Sequence, residues 1–189
     1  VVERVKDPIS LRIALKVAEG MSRGSAVSAS EIVSAGILAR VDGDLVPRPD
    51  TPSAVFDFGD GLVDCFPLSF GDLITAWHAT GVRNIAMYVH VTGDGFPEGD
   101  LSLLPDGPTA EQRDAHGAAA VVEVTSGDGT VTRAVIETVN GYSYTPLAAV
   151  EAARRVLAGD VRPGFQTPAR VFGHGFAETI EGTTVTHLP

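Results

Sequence analysis

The chain has 189 residues, of which 44% are apolar and 20% charged, with a net charge of −10. That length suffices for a core of its own, so a single domain over 1–189 is expected, and the acid excess excludes a nucleic-acid surface, which needs clustered Lys and Arg. Lysine occurs only at Lys6 and Lys16, and the longest apolar runs, such as AAAVVEV at 118–124, are too short to span a bilayer, so neither a polybasic lipid patch nor membrane insertion is expected.

In chain order, VVERVKDP carries neither an initiator methionine nor a signal-peptide pattern; it reads as a chain entered part-way, with a cytoplasmic location. LRIALKV (11–17) alternates apolar with basic and predicts a strand. GMSRG (20–24) predicts a turn, then a helix to about Ala35 in which Ser28 and Glu31 have capping-box spacing and Gly36 is the stop. ILARVDGDLVPRP predicts a hairpin turning at Asp42-Gly43, and SAVFDFGDGLVDCFPLS a second near Asp60-Gly61. The lone Cys65 excludes an internal disulfide and reads as a half-buried strand residue between Asp64 and Phe66.

SFGDLITAWHATG (69–81) predicts a helix with Ser69 and Asp72 as cap, Leu73, Ile74 and Trp77 facing inward and Gly81 as stop. In NIAMYVHV (84–91), Ile85, Met87, Val89 and Val91 share one face of a strand while Tyr88 and His90 share the other. Residues 92–108, rich in Gly, Pro and Asp, predict a mobile loop, and TAEQRDAH (109–116) a short capped helix. A hairpin around Gly127-Asp128-Gly129 follows, then Tyr142 and Tyr144 on one strand face. The long helix 145–160 carries a stripe of Leu147, Val150, Ala153 and Leu157 and a Glu151–Arg155 pair. FAETIEGTTVTHLP predicts a closing hairpin at Glu181-Gly182. These elements sum to an α+β fold: a largely antiparallel mixed sheet with about four helices packed mainly on one face, the other face being solvated or docked onto something else.

No complete cofactor-binding unit is expected within the chain. GDGFPEG (93–99) follows a strand, but Pro97 and the loop-like residues after it leave no helix to hold a pyrophosphate. GDGLVD and GDGTVT are hairpin turns. His78, His90, His116, His174 and His187 lack metal-ligand spacing, and Asp57, Asp60 and Asp64 lack that of a calcium loop, so no metal site is expected. In GMSRGSA, Ser22 and Arg23 ahead of a helix suit an anion; the alternative is a tight turn with a solvated arginine. Adjacent helical positions point about 100° apart, so with Trp77 inward His78 can face a cleft or sit on its rim. Tyr142 and Tyr144 either reach a ligand or pack on the sheet.

Three stretches together resemble a known family: GMSRGSA, FGDLITAWHATGVRNIAMY and GYSYTPLAAVEAARRVLAGDVRPGFQTPARVFG are similar to the C-terminal half of saccharopine dehydrogenase-like oxidoreductases, most of all the bacterial branch that includes trans-acting enoyl reductases. The resemblance runs from about residue 10 to residue 176. It implies an N-terminal Rossmann domain binding NAD(P) in the full-length protein and missing here, with no cofactor bound to this chain alone. It also implies that this domain covers the nicotinamide, holds a small-molecule or acyl substrate and takes part in a homodimer. Where relatives tend to have Tyr-Arg, this chain has Trp77-His78, which makes any anion contact there depend on histidine protonation. In PGFQTPARVFG (163–173), the two prolines stiffen the backbone, Gln166 and Thr167 offer hydrogen bonds to a ligand, and Phe165 and Phe172 anchor the loop; the alternative is a rigid connection only. The substrate-binding set is therefore Ser22, Arg23, His78, Tyr142, Tyr144, Gln166 and Thr167, with no catalytic residue assigned and the isolated chain expected not to catalyse. A non-catalytic dimerisation or ligand-binding module is the reading from another class.

Overall fold

Two strands with strict alternation form the centre of the sheet. β1 (Pro8–Val17) and β6 (Asn84–Val91) run parallel, in register from Ser10↔Asn84 to Val17↔Val91. The structure is a computed structural model and describes residues 1–18, 20–93, 95–97 and 99–188; Glu19, Asp94 and Glu98 (the last two in the glycine-rich GDGFPEG stretch) and the final Pro189 lie outside the described residues. The other pairings are antiparallel. β2 (Leu38–Val41) and β3 (Asp44–Pro47) form a hairpin outside β6. β7 (Ala118–Ser126) and β8 (Val131–Thr138) form another outside β1, and β9 (Thr184–Leu188) closes that edge. The spatial order is β3-β2-β6-β1-β7-β8-β9, and the hairpin of β4 (Ala54–Asp57) and β5 (Leu62–Pro67) joins β6 through Phe66↔Val89 and Pro67↔Tyr88. This is the largely antiparallel α+β sheet that the alternation predicts.

The first face of the sheet takes the helices. Leu11, Ile13, Ile85, Met87 and Val124 form one buried cluster with Leu73 of α2 (Asp72–Thr80) and with Val82. Val89 and Val91 form a second with Leu68, against which Ile32 of α1 (Arg23–Ala35) packs. Each such side chain taken fully out of water is worth about 1.5–3 kcal/mol. Of the stripe expected on α2, Leu73 is buried and Trp77 packs against the cluster, but Ile74 is 44% exposed. α2 ends at Gly81, whose φ of +74° and N–H bond to Trp77 O at 2.8 Å make the expected left-handed cap. The β2–β3 turn has φ of +51° at Asp42 and +95° at Gly43, the twist-matched geometry that an Asp-Gly pair favours.

The second face differs from expectation, because the chain covers much of it itself. The β4–β5 hairpin brings Phe56 and Phe58 onto Ala14, Tyr88, Val121 and Val135, with Cys65 buried among them. Arg12 lies 4.5 Å from the Phe56 ring centre and pairs with Glu123, and Lys16 reaches Asp60 at the hairpin tip at 2.7 Å.

Four local predictions are corrected. α1 is capped by Ser22, not by Ser28, because the Ser22 hydroxyl accepts the Ser25 N–H while Ser28 and Glu31 lie inside the helix. Ser69 caps nothing; its hydroxyl accepts the Leu38 N–H at 2.7 Å and donates to Gly36 O, tying α2's approach to β2. Tyr142 and Tyr144 belong not to a strand but to the first turn of α4 (Gly141–Leu157), started by Asn140. No closing hairpin forms: residues 177–179 make a single helical turn, and β9 pairs with β8 instead.

The two remaining helices are short. α3 (Ala110–Ala115) has the full capping box between Thr109 and Gln112, and α5 (Pro168–Phe172) occupies the second half of PGFQTPARVFG. Residues 101–103 form a helical turn in the loop that follows β6, and that loop is fastened to α1 by Arg23 N–H to Pro105 O at 2.9 Å.

Candidate functional site

A cavity of about 670 Å³ opens between the start of α1, the start of α4 and the first face of the sheet. Its size falls within the roughly 300–1,000 Å³ of small-molecule sites. Leu15, Val17, Ile32, Phe70, Val89 and Phe96 supply apolar walls. Leu15, Val17 and Val89 lie at the C-terminal ends of β1 and β6, where the face is covered by Ile32 of α1 together with Phe70 and Phe96.

The polar edge is built by two helix starts that meet. Asn140, 4% exposed, accepts the Tyr142 N–H through Oδ1 at 3.0 Å and donates through Nδ2 to His116 O at 2.9 Å, which locks the first turn of α4 beside the start of β7. Tyr142 is thereby aimed at α1. Its hydroxyl accepts the Ser22 N–H at 2.7 Å and donates to Ser25 Oγ at 2.9 Å. Ser22 Oγ lies 3.0 Å from Ser25 Oγ and accepts the Ser25 N–H at 3.1 Å. Burial pushes the Tyr142 phenol up, but the hydrogen bonds with Ser22 and Ser25 outweigh it and leave the phenol below its ordinary value. An acidified phenol is a strong hydrogen-bond donor, which is what a carbonyl oxygen or a developing oxyanion asks of a site.

Of the seven residues predicted from the sequence, the structure gathers two here. Tyr142 lines the cavity and Ser22 holds it. Arg23 turns away, its guanidinium 2.6 Å from Asp106, because the first turn of α1 directs it at the loop after β6. His78 is exposed and makes tilted ring contacts with Trp77 and Phe165, the ring centres 5.1 and 5.0 Å away. Tyr144 is half-buried, its phenol pushed up by burial, and does not line the cavity. Gln166 donates to Pro163 O at 2.8 Å, and buried Thr167 caps α5 by accepting the Arg170 N–H. Both therefore spend hydrogen-bonding groups on the backbone of their own segment, although Gln166 Oε1 is buried without a partner among the described residues. Phe172 anchors that segment by stacking on Phe176 at 5.0 Å; Phe165 does not reach the core and is 60% exposed against His78.

Sequence reasoning missed Ser25, Asn140 and Phe96. Asn140 before a helix is a readable cap signal once the helix start is placed at 141 instead of 145. Ser25 and Phe96 carry no local signal, since their role comes from elements far apart in the chain.

Among the described residues, no group of three or more His, Cys, Asp or Glu is placed to hold a metal ion, and no helix is long and apolar enough to cross a membrane. No protein-family model matches the chain, and no curated protein matches it.

Proposed function

We propose that the chain is the substrate-side domain of an NAD(P)-dependent oxidoreductase of the saccharopine dehydrogenase-like kind, inactive alone and holding an apolar, acyl-type substrate in the cavity beside Tyr142. The observation that carries the substrate half of this reading is that cavity, with apolar walls and a single hydroxyl-rich edge. The nicotinamide half rests on the three sequence stretches from GMSRGSA to PGFQTPARVFG. In this arrangement a nucleotide-binding domain supplies the hydride, and the residues here orient the substrate and keep water out. Titration of the purified chain with NADPH, followed by nicotinamide fluorescence, is expected to give no saturable binding. A saturable curve overturns the division of labour.

One observation favours the second reading, a dimerisation module. α4 turns Leu147, Val150 and Leu157 to solvent, with Val150 69% and Leu157 88% exposed. A row of aliphatic side chains on a helix is usually covered. Light scattering that finds a dimer dispersed by Val150→Lys together with Leu157→Lys supports this reading; a monomer at all concentrations removes it.

A further inference from the structure

The edge of the cavity says what charge its ligand carries. Among the described residues that line it there is no Lys, Arg or His, and no carboxylate. The undescribed residues are Glu19, Asp94, Glu98 and Pro189, none of them a cation. Arg23, on the same first turn of α1 as the lining residue Gly24, is engaged with Asp106. An anionic head group brought here would give up hydration and meet no cationic side chain. A neutral carbonyl loses far less and needs only one or two donors.

Those donors are present. Tyr142 carries one hydroxyl proton, now given to Ser25 Oγ. Ser25 Oγ also lies in hydrogen-bond reach of Ser22 Oγ, so accepting from both neighbours leaves its own proton for a third partner. The Ser22 N–H, held on the Tyr142 oxygen at 2.7 Å, fixes that oxygen and polarises its O–H bond. A ligand oxygen with two lone pairs takes the free Ser25 proton, and Tyr142 turns its own proton from Ser25 Oγ to the same oxygen while keeping the bond from the Ser22 N–H.

We infer that the cavity takes an uncharged ligand with an aliphatic body and a ketone, ester or thioester carbonyl, whose oxygen receives hydrogen bonds from Tyr142 Oη and Ser25 Oγ. This rests on reading the cavity as the substrate site and narrows its substrate class. The lowered pKa of the Tyr142 phenol agrees with it. Asn140 acts as a positioning residue, since both its amide atoms are spent on His116 and Tyr142.

The test uses hexyl methyl ketone and octanoate, similar in length and different in charge, titrated at neutral pH into the purified chain while the amide resonances of Gly24 and Gly141 are followed by NMR. The ketone is expected to shift both resonances saturably, and octanoate to bind at least about tenfold more weakly. Tyr142→Phe is expected to weaken the ketone about tenfold, the scale of one good hydrogen bond. Ser25→Ala, which keeps the Tyr142–Ser22 bond, guards against a folding defect in the first variant and is expected to weaken the ketone several-fold. Octanoate binding as well as the ketone, ketone affinity unchanged in both variants, or no saturable ketone shift overturns the inference. Preference for octanoate would leave the substrate-domain reading standing, whereas NADPH binding by the chain alone would end that reading whatever the ketone does.

Discussion

The Arg155 guanidinium lies 5.2 Å from the ring centre of Phe176, on the side of α4 that packs against the C-terminal segment. It is also 5.5 Å from the Phe172 ring and 2.7 Å from Glu151 Oε1. Leu157, two positions further on, points to solvent. The helix is therefore fastened by a cation over aromatic rings, oriented by an ion pair within the helix, with its aliphatic row outward. Arg155→Ala is expected to lower the unfolding free energy by about 1–2 kcal/mol, the sum of a cation–π contact and a part-buried pair. Leu157→Ala is expected to stay within about 0.5 kcal/mol. Urea denaturation compares them, and a larger loss for the leucine would show that the outward row is the packed one.

That helix also shows where sequence reading stops. Leu147, Val150, Ala153 and Leu157 make a good helical stripe, and periodicity reports the stripe without reporting what covers it. The central strands were legible because alternation is local: Ile85, Met87, Val89 and Val91 face the helices, and Tyr88 faces Phe56, as the period of two requires. Asp42-Gly43 was legible for the same reason, a turn being set by two residues. Ser28-x-x-Glu31 misled because it fits a capping box by composition, while Ser22 wins by the geometry of the chain entering the helix. Ser22 and Tyr142 were each readable as candidates, but their contact spans 120 positions and exists only because Asn140 starts α4 beside β7. Gln166 and Thr167 bond to the backbone of their own segment, whereas Arg23 pairs with Asp106, which the loop after β6 brings from 83 positions away.

Glu123 joins two arginines across three strands. Its oxygens lie 3.1 Å from Arg12 Nη1 and 2.8 Å from Arg133 Nε, and it is buried while both arginines are partly exposed. The order Arg12–Glu123–Arg133 follows the strand register, in which the three residues stand opposite one another. Glu123→Ala leaves two neighbouring cations without their shared carboxylate, and the expected loss is about 2–3 kcal/mol of stability. Glu123→Gln keeps the shape and accepts one bond, so it is expected to lose less. Thermal unfolding of the pair measures the difference, and equal Tm values for both and for the parent would show that solvent screens the ladder completely.

Cys65 sits between Val63 O, 3.7 Å from its sulfur, and the Phe56–Phe58–Tyr88 cluster. Burial first, then the Asp64 charge, pushes its thiol up from 9.0 to about 11. The thiolate is thus disfavoured in the folded chain, which holds its proton more firmly than the unfolded chain does. Folded stability from this group is complete below about pH 9 and declines as the pH rises toward about 11. Iodoacetamide at mildly alkaline pH is expected to label the native chain at least about tenfold more slowly than the urea-unfolded chain, because the reactive species is the thiolate. Equal rates in the two states would place the sulfur at the surface. Cys65→Ala is expected to flatten the alkaline decline.

Gly24 offers a way to fill the cavity without disturbing what holds it. It is the second residue of α1 and lines the cavity, and a Cβ placed on it meets nothing within 4 Å. Its backbone is helical, so no strain opposes a side chain, and replacing a helical glycine by leucine favours the helix by about 0.5–1 kcal/mol. Gly24→Leu is therefore expected to hold or raise Tm while its isobutyl group takes volume from the ligand. Binding of the methyl ketone should fall by at least about tenfold, the effect of a clash that the aliphatic tail cannot avoid. Substitutions that empty or expose a core lose stability and binding together; here the two move apart, and that opposition distinguishes an occupied site from a packing defect. Unchanged ketone affinity in a well-folded Gly24→Leu chain would move the ligand out of this cavity and away from Tyr142.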